Sequence, residues 1–338
     1  MKKENLRTVI AAACGMLVLI LDGRTALHGA QNGITLCITT LIPSLFPFFL
    51  LSILLTGALS GQNIAILRPI ADLCKIPKGA ESLLAVGLLG GYPVGAQSVA
   101  TLHRHGCLSD NQASRMIAIC NHAGPAFIFG VLGGVFSQWY APWLLWAIHM
   151  ISAVAVGWIL PDEDDAPVSQ APAHSLSVTH ALEQAIKIMS LVCGWVILMR
   201  TMLAIAERWF LWLLPPVAQV TLAGILELSN GCIRLPEIEN EGVRFMIAGV
   251  MLSLGGICVT LQTASVAKEI SMKSYFPGKI LQCCISAMLC CILQAFVFSK
   301  TCPDIFTPIA LSICIGLGCI LVMHTRKNSS RIPTVLGV

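Results

Sequence analysis

The sequence contains few charged residues. Aspartate, glutamate, lysine and arginine make up 11% of its 338 residues, whereas they make up roughly 25% of an ordinary soluble domain. Hydrophobic residues make up 56% and the mean hydropathy is +0.80. Apolar runs of about 20 residues, the length that crosses a bilayer as a helix, recur along the chain. The composition therefore predicts an all-α polytopic membrane protein. The net charge of +4 is scattered between the runs without a basic stripe, so we expect phospholipid contact and no nucleic-acid partner.

The sequence also lacks the short motifs of catalysis and nucleotide binding. It has no Walker loop, nucleophile elbow, H-E-x-x-H or dinucleotide fingerprint, so we expect neither an enzyme nor an ATP-driven pump, and no catalytic residue is assigned. None of the 15 cysteines forms a C-x-x-C, and most lie in apolar runs, where a thiol packs as a small hydrophobic group. His103 and His105 are two residues apart and do not share a helix face. We therefore expect no metal site and no cofactor.

One pattern, L-G-G-x-x-V-x-x-Q, occurs twice in the chain. The first copy runs from Leu89 to Gln97 and the second from Leu254 to Gln262. Paired glycine-interrupted apolar segments in the two halves of a membrane protein indicate a substrate site, because unwound backbone at that depth lines a cavity or is buried in protein. The repeat therefore predicts a duplicated unit in which each copy contributes a re-entrant hairpin.

Composition divides the chain into five parts. An acidic stretch rich in proline, alanine and serine separates two apolar halves and is interpreted as a solvated tether. The apolar run that follows Lys2 and Lys3 lacks the cleavage site of a secretory signal and is interpreted as a retained anchor. The predicted parts are an N-terminal anchor helix (1–33), a first repeat (34–160), the linker (161–180), a second repeat (181–324) and a basic tail (325–338).

Glycine and proline place the predicted interruptions of the membrane helices. The first hairpin is predicted within residues 79–102, with its tip near Tyr92 to Gly95. A continuous helix there would be destabilised by about 1 kcal/mol for each glycine and by about 3 kcal/mol for the proline. The second hairpin is predicted within residues 243–268, with its tip near Cys258 to Thr260.

Two further helices are expected to bend or break. Pro43 and Pro47 interrupt the apolar run at 34–59, and each removes a backbone donor. Gly124 and Pro125 interrupt the helix that Ser109 is expected to cap. These breaks leave backbone groups that need partners within the bilayer.

Polar and glycine residues at these interruptions form the candidate substrate site. The candidates are Gly91, Tyr92, Gly95, Gln97, Asn121, His122, Gly124, Gly256, Thr260, Gln262 and Thr263. Polar side chains beside a helix break in a bilayer are costly unless they face protein, water or a ligand. Glu227 and Asn230, at the edge of an apolar run, are the candidates for binding a coupling ion.

Several candidates also have a structural interpretation. Gln97 and Gln262 either donate to a ligand or brace the hairpin arms. His122 is either a satisfied core residue or a group that coordinates a proton or a carboxylate. Glu227 either serves an ion or pairs with Arg234 at the membrane interface. The residues alone leave these alternatives open.

The charge distribution leaves the orientation in the membrane open as well. The acidic linker favours an external position, whereas the basic residues at both ends of the chain favour a cytoplasmic one. Basic residues flank both predicted hairpins, although a pair of inverted hairpins must enter from opposite faces. The count of positive charges therefore does not select a side.

Five segments together resemble a known family. The segments LIPSLFPFFLLS, GGYPVGAQ, CNHAGPAFIFG, GILELSNG and LGGICVTLQTAS are similar to the sporulation integral membrane protein family YlbJ, also known as a stage V sporulation family. The resemblance covers roughly 34–287, and His122 stands where asparagine is commoner in that family. The family belongs to the nucleoside-recognition or Gate domain group, with concentrative nucleoside transporters. The resemblance implies an inverted repeat of re-entrant hairpin plus broken transmembrane helix, resembling the concentrative nucleoside transporter core.

The resemblance also implies a function. For the sporulation branch it implies export of dipicolinic acid, a small aromatic dicarboxylate, into the forespore during sporulation, by a multi-pass protein of the bacterial cell membrane or forespore membrane. The alternatives are a nucleoside or related metabolite transporter and, in another class, a non-transporting membrane scaffold for spore-envelope assembly. The expected partners are a small anionic solute, the lipid bilayer, and either further copies of the chain or other sporulation membrane proteins.

Overall fold

The computed structural model describes residues 3–59, 62, 64–161 and 177–298, and these residues form helices and no strand. Among them, six helical segments are long and apolar enough to cross a bilayer, which confirms a multi-pass membrane protein. The helices are α1 (Lys3–Leu21), α2 (Gly23–Leu36), α3 (Ile42–Leu59), α4 (Arg68–Leu73), α5 (Glu81–Gly90), α6 (Val94–Arg104), α7 (Asp110–Cys120), α8 (Pro125–Leu132), α9 (Ala141–Ile159), α10 (Val178–Trp209), α11 (Pro216–Leu226), α12 (Leu228–Arg234), α13 (Glu241–Leu254), α14 (Gly256–Val266) and α15 (Tyr275–Val297).

Parts of the predicted domain scheme lie outside the described residues. They are the linker residues 162–176, the end of the second repeat at 299–324 and the basic tail at 325–338. The boundary predicted at residue 33 falls inside α2, which continues through a π-helical turn at Cys37–Leu41 into α3. Pro47 lies inside α3 without ending it, so the irregular turn precedes both prolines of this segment.

Helix α2 packs along α10 through two glycines. A methyl group on Gly29 would lie 2.8 Å from the Cα of Thr201, and one on Gly33 would lie 2.9 Å from the Cα of Ile197. Small residues at such positions allow the backbones of membrane helices to approach closely. Helix α1 has mostly exposed side chains in its described part and contacts α2.

The two ends of helix α9 contact different parts of the molecule. At its C-terminal end, Arg115 of α7 donates to the carbonyl oxygens of Gly157 and Cys74 at 2.6 Å, which joins α9 to the segment that leads into α5. At its N-terminal end, the backbone N–H of Ser137 donates to Glu241 of α13 at 3.0 Å. The start of α5 and the start of α13 therefore lie at opposite ends of α9.

The short helix α4 lies outside the candidate spans. The Arg68 guanidinium pairs with Asp72 on the same helix and with Glu81 at the start of α5, 2.6 Å away. Its hydrogen bond to Asp72 holds the pKa of that exposed carboxyl below its usual value. A short helix that carries both charged and apolar residues is typical of a segment that lies at the membrane interface.

Candidate functional site

The first glycine pattern forms a hairpin. Helices α5 and α6 pack against each other and are joined by residues 91–93, which overlap the predicted tip. Tyr92 and Val94 lie in the main hydrophobic cluster, whereas Leu83 near the start of α5 and Leu102 near the end of α6 both lie in the second cluster. The chain therefore reverses at Tyr92, and Gly91 makes the turn with a φ of 69°.

The second glycine pattern does not form a hairpin, and the tip predicted at Cys258 to Thr260 is wrong. Those residues lie inside α14, and the chain breaks earlier, at Gly255 and Gly256, whose φ values are 74° and 77°. Helices α13 and α14 together make one candidate membrane span, so this break lies inside a candidate span. Positive φ at glycine either reverses or bends a helix, and the surrounding packing decides which of the two occurs.

The hairpin of the second half lies at Glu227 instead. Helices α11 and α12 pack against each other on either side of this single residue. A methyl group on Gly231 would lie 2.3 Å from the Cα of Gly224, so the two arms are in backbone contact. The break of the neighbouring helix lies against this hairpin, because a methyl group on Gly256 would lie 2.8 Å from the carbonyl oxygen of Gly224.

Glu227 closes the tip of this second hairpin. Its carboxylate accepts the backbone N–H of Ser229 at 3.0 Å and that of Asn230 at 2.8 Å, and so caps α12. The side-chain amide of Asn230 donates to the same carboxylate at 2.8 Å. The predicted alternative, a pair with Arg234, is not formed, because Arg234 pairs with Glu207 and Glu237.

Asn121 joins the two halves at the first broken helix. The break between α7 and α8 spans 121–124, and Asn121 is fully buried. Its side-chain oxygen accepts the backbone N–H of Ala96 on α6 at 3.3 Å, and its amide donates to the hydroxyl of Thr263 on α14 at 2.7 Å. One side chain thus links the first hairpin, the first broken helix and the second broken helix.

The four interruptions surround one small cavity with a free volume of about 30 Å³. Five predicted site residues line it, namely Gly91, Tyr92, Gly124, Glu227 and Gln262. The apolar wall includes Leu45, Phe49, Phe127, Val192 and Val259. Glu227 is the charged residue of this lining, and no lysine, arginine or histidine is among the described residues that line it.

Four predicted site residues support the cavity wall from behind. Asn121 and Thr263 bond each other, and Gly95 lets α6 lie on the end of α7, since a methyl group there would lie 2.0 Å from the carbonyl oxygen of Cys120. Gly256 similarly lies on the second hairpin. These residues position the cavity wall without lining it.

Other predicted site residues lie away from the cavity. Gln97 is half-buried on α6, and Thr260 is half-buried and donates to the carbonyl oxygen of Gly256 at 3.0 Å. His122 is buried and faces α9. Asn230 is bonded to Glu227 behind the hairpin tip. The two glutamines of the repeated pattern therefore differ, since Gln262 lines the cavity and Gln97 does not.

The buried titratable residues that were not predicted from the sequence include His149 and Lys279. His149, in the middle of α9, accepts the backbone N–H of Ala123 at the first break, with a distance of 3.0 Å to its Nε2. Lys279 of α15 is 2% exposed and donates to Gln282 at 3.1 Å. Each of them is an ionisable residue inside an apolar run of the sequence. Such residues are rare within membrane helices and mark functional positions, so this pattern could have identified both.

The helix starts at the interruptions offer backbone donors to a ligand. The first N–H groups of a helix have no partner within the helix and require a cap, water or a ligand. The Asn121 side-chain oxygen accepts the Ala96 N–H in the first turn of α6, and the Glu227 carboxylate caps α12, whereas the residues that precede α8 and α14 make no side-chain cap. The cavity therefore combines apolar walls, the starts of α8 and α14 without a side-chain cap, and one carboxylate, a combination that suits a small polar solute with an apolar body.

Comparison with known proteins connects these features to a sporulation membrane protein. No family model and no solved structure matches the chain. The sporulation integral membrane protein YlbJ of Bacillus subtilis (strain 168) is 28% identical over 166 residues, which cover 46% of this chain and 40% of that protein. This match confirms the resemblance that the sequence motifs predict. The chain is a multi-pass integral membrane protein similar to YlbJ.

Proposed function

We propose that the protein is a secondary transporter or facilitator for a small anionic solute. The observation that carries this proposal is the cavity at which four helix interruptions from both halves of the chain meet. Interrupted helices around a buried cavity are typical of transporter binding sites, because unwound backbone is tolerated in a bilayer where it lines such a cavity. A scaffold that transports nothing has no need of this arrangement.

The order of the elements supports an inverted repeat. Hairpin, broken helix and crossing helix follow each other as α5/α6, α7/α8 and α9, and again as α11/α12, α13/α14 and α15. The segment before α5 contacts the C-terminal end of α9, whereas the segment after α12 leads into α13 at the N-terminal end of α9. The open ends of the two hairpins would then face opposite sides of the membrane, as alternating access around a fixed site requires.

Dipicolinic acid is the proposed solute, and its export into the forespore during sporulation is the proposed setting. The identity of the solute rests on family resemblance, and the starts of α8 and α14, which have no side-chain cap, support a carboxylate ligand. Glu227 illustrates the chemistry, because its own carboxylate is held by two backbone N–H groups at such a start.

The cavity lining also favours a second candidate, a nucleoside or related metabolite. Glu227 is the charged residue of the lining and is an acceptor when ionised, and no basic side chain accompanies it among the described residues there. A neutral solute with hydroxyl donors would avoid charge repulsion from this carboxylate.

Uptake by reconstituted liposomes tests these candidates. We expect labelled dipicolinate to enter liposomes that contain the protein faster than empty liposomes, and labelled uridine to enter at the background rate. Preferential uridine uptake would favour the nucleoside candidate. Uptake of neither solute by protein that is monodisperse and cooperatively folded would favour the scaffold and contradict the proposed transport.

A further inference from the structure

A second group of buried polar residues lies beside the cavity and does not line it. His149 is 1% exposed and accepts the backbone N–H of Ala123 through Nε2, at 3.0 Å. An imidazole nitrogen that accepts a hydrogen bond carries no proton, so neutral His149 holds its proton on Nδ1. Ala123 is part of the first helix break, and the next residue, Gly124, lines the cavity.

His122 is the second buried imidazole at this position. Its ring stands nearly perpendicular to the ring of His149, with 5.4 Å between the ring centres. It is 1% exposed, and both of its nitrogens are buried without a hydrogen-bond partner in the described part of the chain. Burying unbonded polar groups costs free energy, and the Nδ1 of His149 is likewise buried without a partner among the described residues, so neither ring is a satisfied core group.

Helix α15 contributes the other charged group that faces His149. Lys279 donates from Nζ to the Gln282 side-chain oxygen at 3.1 Å, and the Gln282 amide donates to the backbone carbonyl of His149 at 3.4 Å. His122 and Lys279 are the groups that interact electrostatically with His149 among the described residues.

The remaining helices packed on α9 direct their titratable side chains elsewhere. Arg115 of α7 donates to the carbonyl oxygens of Cys74 and Gly157. The Cys74 thiol, which follows α4, donates to the carbonyl oxygen of Val154. At the start of α13, Arg244 donates to the carbonyl oxygen of Val135, and Glu241 accepts from Ser137. Helix α8 carries no titratable residue.

We propose that His149 is a proton-binding site that controls the first helix break, and its part in transport rests on the function proposed above. A proton that adds to Nε2 of His149 turns this atom from an acceptor into a donor. The Ala123 N–H then faces another donor, so the bond that fixes Ala123 is lost.

The effect of that proton reaches the cavity through one residue. Gly124 follows Ala123 and lies on the tip of the first hairpin, since a methyl group on Gly124 would lie 2.9 Å from the backbone nitrogen of Gly91. Both glycines line the cavity. A change at Ala123 therefore moves the wall between the first hairpin and the first broken helix, which couples proton binding to the solute site.

Replacement of His149 by glutamine separates the proton from the hydrogen bond. The glutamine oxygen of H149Q can accept the Ala123 N–H but does not bind a proton in the physiological range. His28 is exposed on α2, so H28Q is the matched control. The measurements are proton movement, reported by a trapped pH-sensitive dye when dipicolinate or uridine is added to proteoliposomes, and hydrogen exchange of the Ala123 amide.

Each measurement has an expected result. Wild-type protein and H28Q should couple solute addition to proton movement, and H149Q should reduce that movement about tenfold or more, because it lacks a titratable ring there. In wild-type protein the protection of the Ala123 amide, corrected for intrinsic exchange, should fall about tenfold as the pH is lowered from about 8 to about 4. In H149Q it should stay constant.

The outcomes separate this inference from the proposed function. Solute-coupled proton movement in H149Q equal to wild type would overturn the role of His149, and so would Ala123 protection that does not change with pH in wild-type protein. If wild-type protein moves neither solute but its Ala123 protection depends on pH and that of H149Q does not, the proton site stands and the transport function fails. Should H149Q not fold, the wild-type exchange series decides.

Discussion

At the scale of single residues, Asn121 connects the first break to two neighbouring helices through its side chain. It accepts from Ala96 and donates to Thr263, so its replacement leaves the Ala96 N–H without an acceptor and removes one of the two hydrogen bonds of the Thr263 hydroxyl. We expect N121A to lower the free energy of unfolding by about 1–2 kcal/mol, in line with interhelical hydrogen bonds in membranes. Denaturant unfolding in detergent measures this loss. The exposed Asn32 on α2 provides the control, and equal stability of N121A and N32A would contradict the bridge.

The two glutamines of the repeated pattern give a paired prediction for uptake. Gln262 lines the cavity, whereas Gln97 does not, although the sequence predicts a site role for both. We expect Q262A to lower the initial rate of solute uptake about tenfold, the effect of losing one good polar contact of about 1.4 kcal/mol, and Q97A to lower it less. Initial rates in proteoliposomes measure both. A larger loss in Q97A would place the solute elsewhere.

The sequence also missed residues at this scale for a physical reason. Asn121 and His122 stand beside a Gly-Pro break and are conspicuous, but His149 and Lys279 lie in uninterrupted apolar helices where nothing local marks their partners. Their significance comes from Ala123 and Gln282, which are brought to them by tertiary packing.

At the scale of elements, glycines set how closely the hairpins approach their neighbours. Gly95 of α6 lies against the backbone of α7, and a methyl group there would come within 2.0 Å of the Cys120 oxygen. We expect G95A to cost about 3 kcal/mol or more, because the backbone cannot move aside as a side chain can. On α10, Gly194 has open space around it, so G194A should be neutral or stabilise by about 0.5–1 kcal/mol.

Thermal unfolding of the two glycine variants in detergent gives the comparison directly. Similar transition temperatures for G95A and G194A would mean that α6 and α7 are not in backbone contact. A transition that is lower in G95A alone would support the hairpin packing described above.

Sequence reasoning located the interruptions but not their kinds. Glycine and proline act on the local backbone, so both copies of the pattern were predicted to interrupt a helix, although the second tip was placed at Cys258 to Thr260 and the break lies at Gly255 and Gly256. Whether the chain reverses or continues depends on neighbouring elements, and the repeated pattern falls once in a hairpin and once inside a candidate membrane span. The second hairpin has Glu227 at its tip. Glutamate has no conformational preference for a turn, so no local sequence pattern marks this hairpin.

At the scale of the whole molecule, the proposed inverted repeat predicts the sidedness of two exposed loops. Lys78 precedes the first hairpin and Glu239 follows the second, and both side chains are exposed. We expect K78C and E239C, each in a background in which the exposed Cys14 is replaced by serine, to react with an impermeant maleimide from opposite sides of sealed vesicles. Labelling of both from the same side would contradict the inverted arrangement.

The hydrogen bond between Asn121 and Thr263 also has a consequence for how the protein is made. Its two ends are 142 residues apart in the chain. Ribosomes add about 5–20 residues per second, so the first broken helix waits in the membrane for about 7–28 seconds before its partner is synthesised. During that interval the side-chain amide of Asn121 lacks its final acceptor. Insertion factors or chaperones that shield this amide would therefore act on the nascent N-terminal half.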